Sequence, residues 1–171
     1  MIELYKGDIT TLDVDIIVNA ANKSLLGGGG VDGAIHASAG KELLKECKTL
    51  GGCEVGDAKM TLGYNLKAKR IIHTVGPYYR DGKHNEEELL SNCYKNSMLL
   101  AEKYREENNL DNITVAFPCI STGVYRYPFE SASLVAYSTI KKYINSHIKV
   151  ILVCFSNSDY DKYKAIIKEN D

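Results

Sequence analysis

The chain has 171 residues, 44% hydrophobic and 25% charged. At that length folding hides roughly 70% of the unfolded chain's surface, so one well-cored domain over 1–171 is expected, and a disordered, collagenous or low-complexity chain is excluded. Lys and Arg number 21 against 22 Asp and Glu, a formal charge of -1, which excludes a basic field of the kind that holds a phosphate polymer.

Five scattered cysteines, Cys47, Cys53, Cys93, Cys119 and Cys154, form no C-x-x-C pair, so they read as reduced, mostly buried thiols and not as a disulfide framework or zinc knuckle. No basic stretch precedes an apolar run at the N-terminus, and no run of about 18 apolar residues occurs. A soluble, cytoplasmic protein without a membrane partner is expected.

In chain order, Ile2 to Tyr5 is a weak strand candidate, followed by Gly7-Asp8-Ile9-Thr10. Asp8 either caps a helical turn or accepts a hydrogen bond from an exocyclic amine such as that of adenine, and the local sequence leaves both open. A strong strand, Val14 to Val18, runs into Asn19-Ala20-Ala21-Asn22 and then four glycines, Gly27 to Gly30. Consecutive glycines cost backbone entropy and are expected where another group must approach the backbone closely. Because Val31 to Ser38 begins a helix, these glycines would aim amides and a positive helix end at an anion such as a phosphate. The alternative is a flexible turn. Gly28-Gly29-Gly30-Val31-Asp32-Gly33 is a weak dinucleotide signature, because Asn19 to Gly27 separate it from the strand, and Gly40-Lys41-Glu42 is not a P-loop. His36 follows Asp32 by one helical turn and shares its face, in a structural or a supporting role.

Ala58 to Thr61 is a weak strand and Arg70 to Val75 a strong one, with His73 read as a packed residue. Asp81 to Glu88 reads as an exposed loop entering a helix, Glu86 to Glu107, whose stripe is Leu89, Cys93, Leu100 and Tyr104. The strand Ile113 to Phe117 leads to Pro118-Cys119-Ile120-Ser121-Thr122-Gly123-Val124-Tyr125-Arg126-Tyr127-Pro128 and another helix. Ser121, Thr122 and the amides around Gly123 suit a second phosphate or a simple cap, and Tyr125 offers a flat face to a sugar or base. The helix Phe129 to Asn145 points Ala132, Ala136, Ile140 and Tyr143 inward. After the strand Lys149 to Phe155, Ser158 or Asp159 caps a last helix with Tyr160, Tyr163 and Ile167 inside. Runs such as Val150-Ile151-Leu152-Val153 do not alternate with polar residues, so helices must cover both faces of the sheet. That pattern implies a three-layer α/β/α fold with ligands at loops beyond the carboxyl ends of the strands.

Several motifs in order carry a resemblance: Gly7-Asp8-Ile9-Thr10, Val14 to Asn22, Gly29-Gly30-Val31-Asp32-Gly33, Ile72-His73-Thr74-Val75-Gly76-Pro77, and Pro118 to Tyr125. Over nearly its whole length the chain resembles a macro domain, specifically the MacroD-type ADP-ribosyl hydrolases. The resemblance implies a central mixed, mostly parallel sheet, recognition of ADP-ribose, and hydrolysis of mono-ADP-ribosyl esters on acidic side chains of proteins, of O-acetyl-ADP-ribose, or of both. A reader that binds ADP-ribose without turnover is the alternative. Carried over by motif, Asp8 would hold the adenine amino group, Ile9 would line that pocket and Phe155 would pack near the ring. Gly28, Gly29, Gly30 and Val31 with Asp32, and Ser121, Thr122, Gly123 and Val124 with Tyr125, resemble the two diphosphate loops. Tyr125 would cover the distal ribose, Asn22 and Asp32 would act on it as catalytic residues, and Asn19 and His36 would join the binding set.

In this reading Asp32 orients a water, Asn22 fixes the ribose and the glycine loops hold the diphosphate bent. No metal-ligand set or cofactor is implied. The partners implied are ADP-ribose, ADP-ribosylated proteins and O-acetyl-ADP-ribose, with nucleic acid only as an ADP-ribosylated end, and the chain is expected to be a monomer. A nucleophilic Cys119 is the rival chemistry, disfavoured because no cation is predicted beside it. Arg126 departs from the family pattern, which commonly has glycine there.

Overall fold

The computed structural model describes residues Met1–Asp171. Strands β1 (Ile2–Lys6), β2 (Ile16–Ala21), β3 (Ala58–Leu62), β4 (Arg70–Val75), β5 (Ile113–Phe117) and β6 (Ile148–Cys154) form one sheet in the order β1-β6-β5-β2-β4-β3. All neighbours pair in parallel except β3, which runs antiparallel to β4. Helices α1 (Gly30–Ala39), α2 (Lys41–Lys48), α3 (Glu86–Glu107), α4 (Phe129–Tyr143) and α5 (Asn157–Asn170), with a 3-10 turn at Ile9–Thr11, make the connections. None is long and apolar enough to cross a membrane.

The uninterrupted apolar runs follow from burial on both sheet faces. Along β2, Ile16 and Val18 enter the larger of two apolar clusters, while Ile17 and Ala21 enter the smaller, and β4 splits Ile72 and Ile71 in the same way. Helices α3, α4 and α5 cover the first face, and α1 and α2 cover the second. Each fully buried isoleucine among these contributes about 1.5–3 kcal/mol of transfer free energy, which makes the three-layer arrangement the stable one.

Some boundaries differ from the sequence expectation. β2 begins at Ile16 because Asp15 is used as a bridge: its carboxylate accepts from the Thr114 amide and its carbonyl from Lys69 and Arg70. It runs on through Asn19 to Ala21, since Asn19 finds side-chain partners inside the protein. α2 is an additional helix, separated from α1 by Gly40 at φ 89 and anchored by buried Leu43 and Cys47. On α3 the buried face is Leu90, Cys93, Tyr94, Ser97, Met98, Ala101 and Tyr104, with Leu89 and Leu100 only half-buried. The helix packs against both the sheet and the neighbouring α4, so it buries a wide arc and not a narrow stripe. α4 stops at Tyr143, where Ile144 turns to extended backbone. Ser156, and not Ser158 or Asp159, caps α5, its Oγ accepting from the Asp159 amide at 3.1 Å. Tyr163 is buried as expected, with Tyr160 and Ile167 packed against the same core.

Candidate active site

Parallel pairing puts the carboxyl ends of β1, β6, β5, β2 and β4 on one edge of the sheet. Every loop singled out in the sequence therefore falls on that edge, Asp8 after β1, Phe155 after β6, Ser121 to Tyr125 after β5 and Asn22 to Gly29 after β2. Neighbouring strands are about 4.8 Å apart, so the β1 and β2 loops lie about 14 Å from each other across the sheet.

The first glycine loop ends on α1, whose N-cap is Gly29 with no side-chain capping bond. Its leading amides are thus left to an incoming anion. A Cβ on Gly29 or Gly30 would meet nothing within 4 Å, so this side of the loop is open. The opposite side is tight: a Cβ on Gly33 would collide with the Gly28 carbonyl oxygen, which lays the loop directly on the helix. Gly28 has a different neighbourhood. A Cβ there would lie 3.2 Å from Asp32 Oδ2 and 3.4 Å from Asn22 Nδ2, closer than a side chain is comfortably held, so glycine at this point lets the backbone pass close to a carboxylate acceptor and an amide donor.

Asn22 braces the loop as well as flanking Gly28. Its Oδ1 accepts from Ser24 Oγ at 2.6 Å and from the Ser24 and Leu25 amides at 3.2 Å, and its Nδ2 donates to the Gly27 carbonyl at 3.0 Å. Asp32 is buried, and its Oδ1 accepts from Asn19 Nδ2 at 2.8 Å. Asn19, expected among the binding residues, is completely buried and sits beneath the carboxylate. His36 Nε2 lies 3.5 Å from the same Asp32 Oδ1 and makes no hydrogen bond, which suits the supporting role.

In the second loop Ser121 has φ 67 and a buried Oγ that a Cβ on Gly76 would strike. Its side chain is therefore packing, and only its backbone can face a ligand. Thr122 Oγ1 donates to the Cys119 carbonyl at 3.0 Å. Gly123 is open, and Val124 is 84% exposed. Since α4 begins only at Phe129, the amides around Gly123 belong to a turn closed by Arg126 N–H on the Gly123 carbonyl at 3.0 Å, not to a helix end. Tyr125 stacks on Tyr78, ring centroids 3.9 Å apart at 30°. Tyr78 was not singled out in the sequence; the Gly76-Pro77 turn after β4 was the only signal near it. Burial raises the Tyr125 phenol above its ordinary range.

At the β1 end Asp8 caps the local turn and still faces outward. Its Oδ1 caps the 3-10 turn, accepting from Thr10 N at 2.9 Å and Thr10 Oγ1 at 2.7 Å, while the residue stays exposed to a ligand. Ile9 is buried beside it, and Phe155 is 85% exposed on the adjoining strand end, where the Gly7 amide bonds the Cys154 carbonyl at 3.0 Å. Cys119 Sγ donates to the Val153 carbonyl at 3.5 Å and lies 3.9 Å from Cys154 Sγ. The Cys154 contact, and then burial, hold the Cys119 thiol above its ordinary range, which disfavours it as a nucleophile.

Residues 18–136 match the model of the Macro domain family. A macro domain-containing protein of Chlorobaculum tepidum is 52% identical over 170 residues, 98% of this chain and 95% of the relative. ADP-ribose glycohydrolase MACROD2 of Homo sapiens is 51% identical over 175 residues, but the chain spans only 39% of that protein's length. Among solved structures, an Oceanobacillus iheyensis macrodomain with ADP aligns with a TM-score of 0.90 at 42% identity, covering 99% of this chain and 90% of the other. A Trypanosoma brucei macrodomain in complex with ADP-ribose aligns with a TM-score of 0.86 at 40% identity, covering 97% of this chain and 68% of the other. Motifs, strand order and the arrangement of the loops thus agree with sequence and backbone likeness over nearly the full length, and the chain belongs to the Macro domain family.

Proposed function

We propose that this chain hydrolyses the ester joining the distal ribose of ADP-ribose to acidic side chains of proteins, and that O-acetyl-ADP-ribose is a further substrate of the same site. Adenine binds between Asp8 and Phe155, the diphosphate lies over the open sides of Gly29, Gly30 and Gly123, and the distal ribose reaches Asn22 and Asp32 beside Tyr125. The observation that carries the reading is the convergence of Asp32 Oδ2 and Asn22 Nδ2 on Gly28, 3.2 and 3.4 Å from where a Cβ would stand. A water that bridges the two side chains accepts from the amide and donates to the carboxylate, which leaves a lone pair for attack. The elements of water add across the ester, releasing ADP-ribose and a carboxylic acid, or acetic acid from the acetyl substrate. The name of the human relative and the ADP-ribose complex of the Trypanosoma brucei neighbour support the same ligand.

The test is release of ADP-ribose from a protein mono-ADP-ribosylated on glutamate or aspartate, with ADP-ribose binding measured alongside. Asp32→Ala is expected to lower kcat by about 10²-fold or more while binding persists. A wild type that binds ADP-ribose and releases none from either substrate would instead make the protein a reader.

A further inference from the structure

Asp32 is held from below by residues that the proposed chemistry does not use. Asn19 on β2 stands opposite His73 on β4 in the parallel register, and Asn19 Nδ2 lies 3.1 Å from His73 Nδ1 as well as 2.8 Å from Asp32 Oδ1. On its far side, His73 Nε2 lies 2.9 Å from Thr61 Oγ1 on the edge strand β3. Asn19, Thr61 and His73 are all buried, so no solvent competes for these contacts.

The protons in this row have only one consistent arrangement. An ionised carboxylate accepts and never donates, so Asn19 must turn its NH₂ towards Asp32. The second hydrogen of that NH₂ meets His73 Nδ1, which must then be bare. The ring is therefore neutral with its proton on Nε2, and that proton goes to Thr61 Oγ1, whose own hydrogen reaches the Leu62 carbonyl at 3.2 Å. Asn19 Oδ1 has no partner at all. Rotating the amide would place that oxygen against both the carboxylate and the bare ring nitrogen, so two acceptors lock the amide in place. Burial, and then the neighbouring His36, lower the His73 pKa to about 4, in keeping with a neutral ring.

We propose that His73 is a positioning residue for this site: through Asn19 it fixes the donor that aims the Asp32 carboxylate, and Thr61 fixes the ring tautomer that makes this possible. The kinetic consequence rests on the hydrolase reading above. His73→Leu removes the acceptor for Asn19, and Thr61→Val, a side chain of the same shape, leaves the Nε2 proton only the weak acceptor Cys47 Sγ at 4.0 Å. His73→Asn returns an acceptor near the position of Nδ1. Displaced outer partners of this type typically cost about 10–100-fold. His73→Leu and Thr61→Val are expected to lower kcat by that factor with KM and ADP-ribose affinity unchanged, and His73→Asn to restore most of the loss. An unaltered kcat in His73→Leu, a fall in affinity that tracks the fall in kcat, or a His73→Asn variant no better than His73→Leu would overturn the proposal.

A measurement that needs no variant runs beside these. The ring nitrogen signals of His73 in the wild type, read by ¹⁵N NMR, are expected to show the proton on Nε2. A proton on Nδ1 would overturn the arrangement. If the wild type binds ADP-ribose without turnover, the hydrolase reading fails, and the ring signals still decide whether the row of hydrogen bonds exists as described.

Discussion

Arg126 has φ 62, in the left-handed region where a side chain crowds the backbone. This explains in physical terms why the family commonly has glycine there. For an L-residue that conformation costs about 1 kcal/mol, and glycine is relieved of the cost. Arg126→Gly is therefore expected to stabilise the fold by up to about 1 kcal/mol, less the entropy that glycine adds to the unfolded chain. Urea midpoints of the two proteins check this. Turnover of a protein ester and of O-acetyl-ADP-ribose, measured on the same pair, shows whether the guanidinium also serves substrate. Selective loss of the protein ester would assign the side chain to the carrier, and equal turnover would leave it a surface residue that retains its strain for no catalytic return.

Between β4 and α3 the loop is organised by one buried side chain. Glu86 accepts hydrogen bonds from the amides of Arg80, Asp81 and Gly82 on Oε2, at 2.9 to 3.1 Å, and from His84 on Oε1 at 2.6 Å. Burial pushes its carboxyl up, but the four amides outweigh it and hold the pKa near 2. A folded pKa below the unfolded value of about 4.3 means the charged form stabilises the fold. That contribution is complete above about pH 5 and is lost as pH falls towards 2. Glu86→Gln should lower stability at neutral pH, approach the wild type near pH 2, and speed amide exchange at residues 80–84; equal exchange in both proteins would show that the carboxylate does not order the loop. The sequence marked this segment as a polar loop but gave no sign that Glu86 turns inward, because the four amides come together only once the loop closes. The strong strands, in contrast, were legible: β-branched apolar runs without alternation leave few options. α2 was not, since eight mostly charged residues expose their helical character only through Leu43 and Cys47. Asp8, the glycine loop and Asp32 were legible from motifs. The partners of Asp32 were not, because Asn19, His73 and Thr61 meet through the pairing of β2 with β4 and β4 with β3, which no local pattern reveals.

The fold as a whole carries a proton balance set by its buried ring. His73 has a folded pKa of about 4 against an ordinary value near 6.5, so between those values the unfolded chain binds a proton that the folded chain does not. Stability then rises with pH by about 1.4 kcal/mol per unit across that window, on the order of 3 kcal/mol in all. The sign is fixed by the same logic as for Glu86: the contribution is complete above pH 6.5 and lost as pH falls through it, a window higher than the one in which Glu86 acts. Urea midpoints of the wild type should hold steady above pH 7, decline from about pH 6.5 downwards, and decline further below pH 5 as carboxylates protonate. His73→Asn should flatten the upper part of that decline and leave the lower part in place, because Asn has no proton to gain. If the wild-type midpoint stayed level between pH 7 and 4.5, the ring would have to bind its proton equally in the folded and unfolded chains. The neutral tautomer that orders Asn19 and Asp32 would then be lost over the same range.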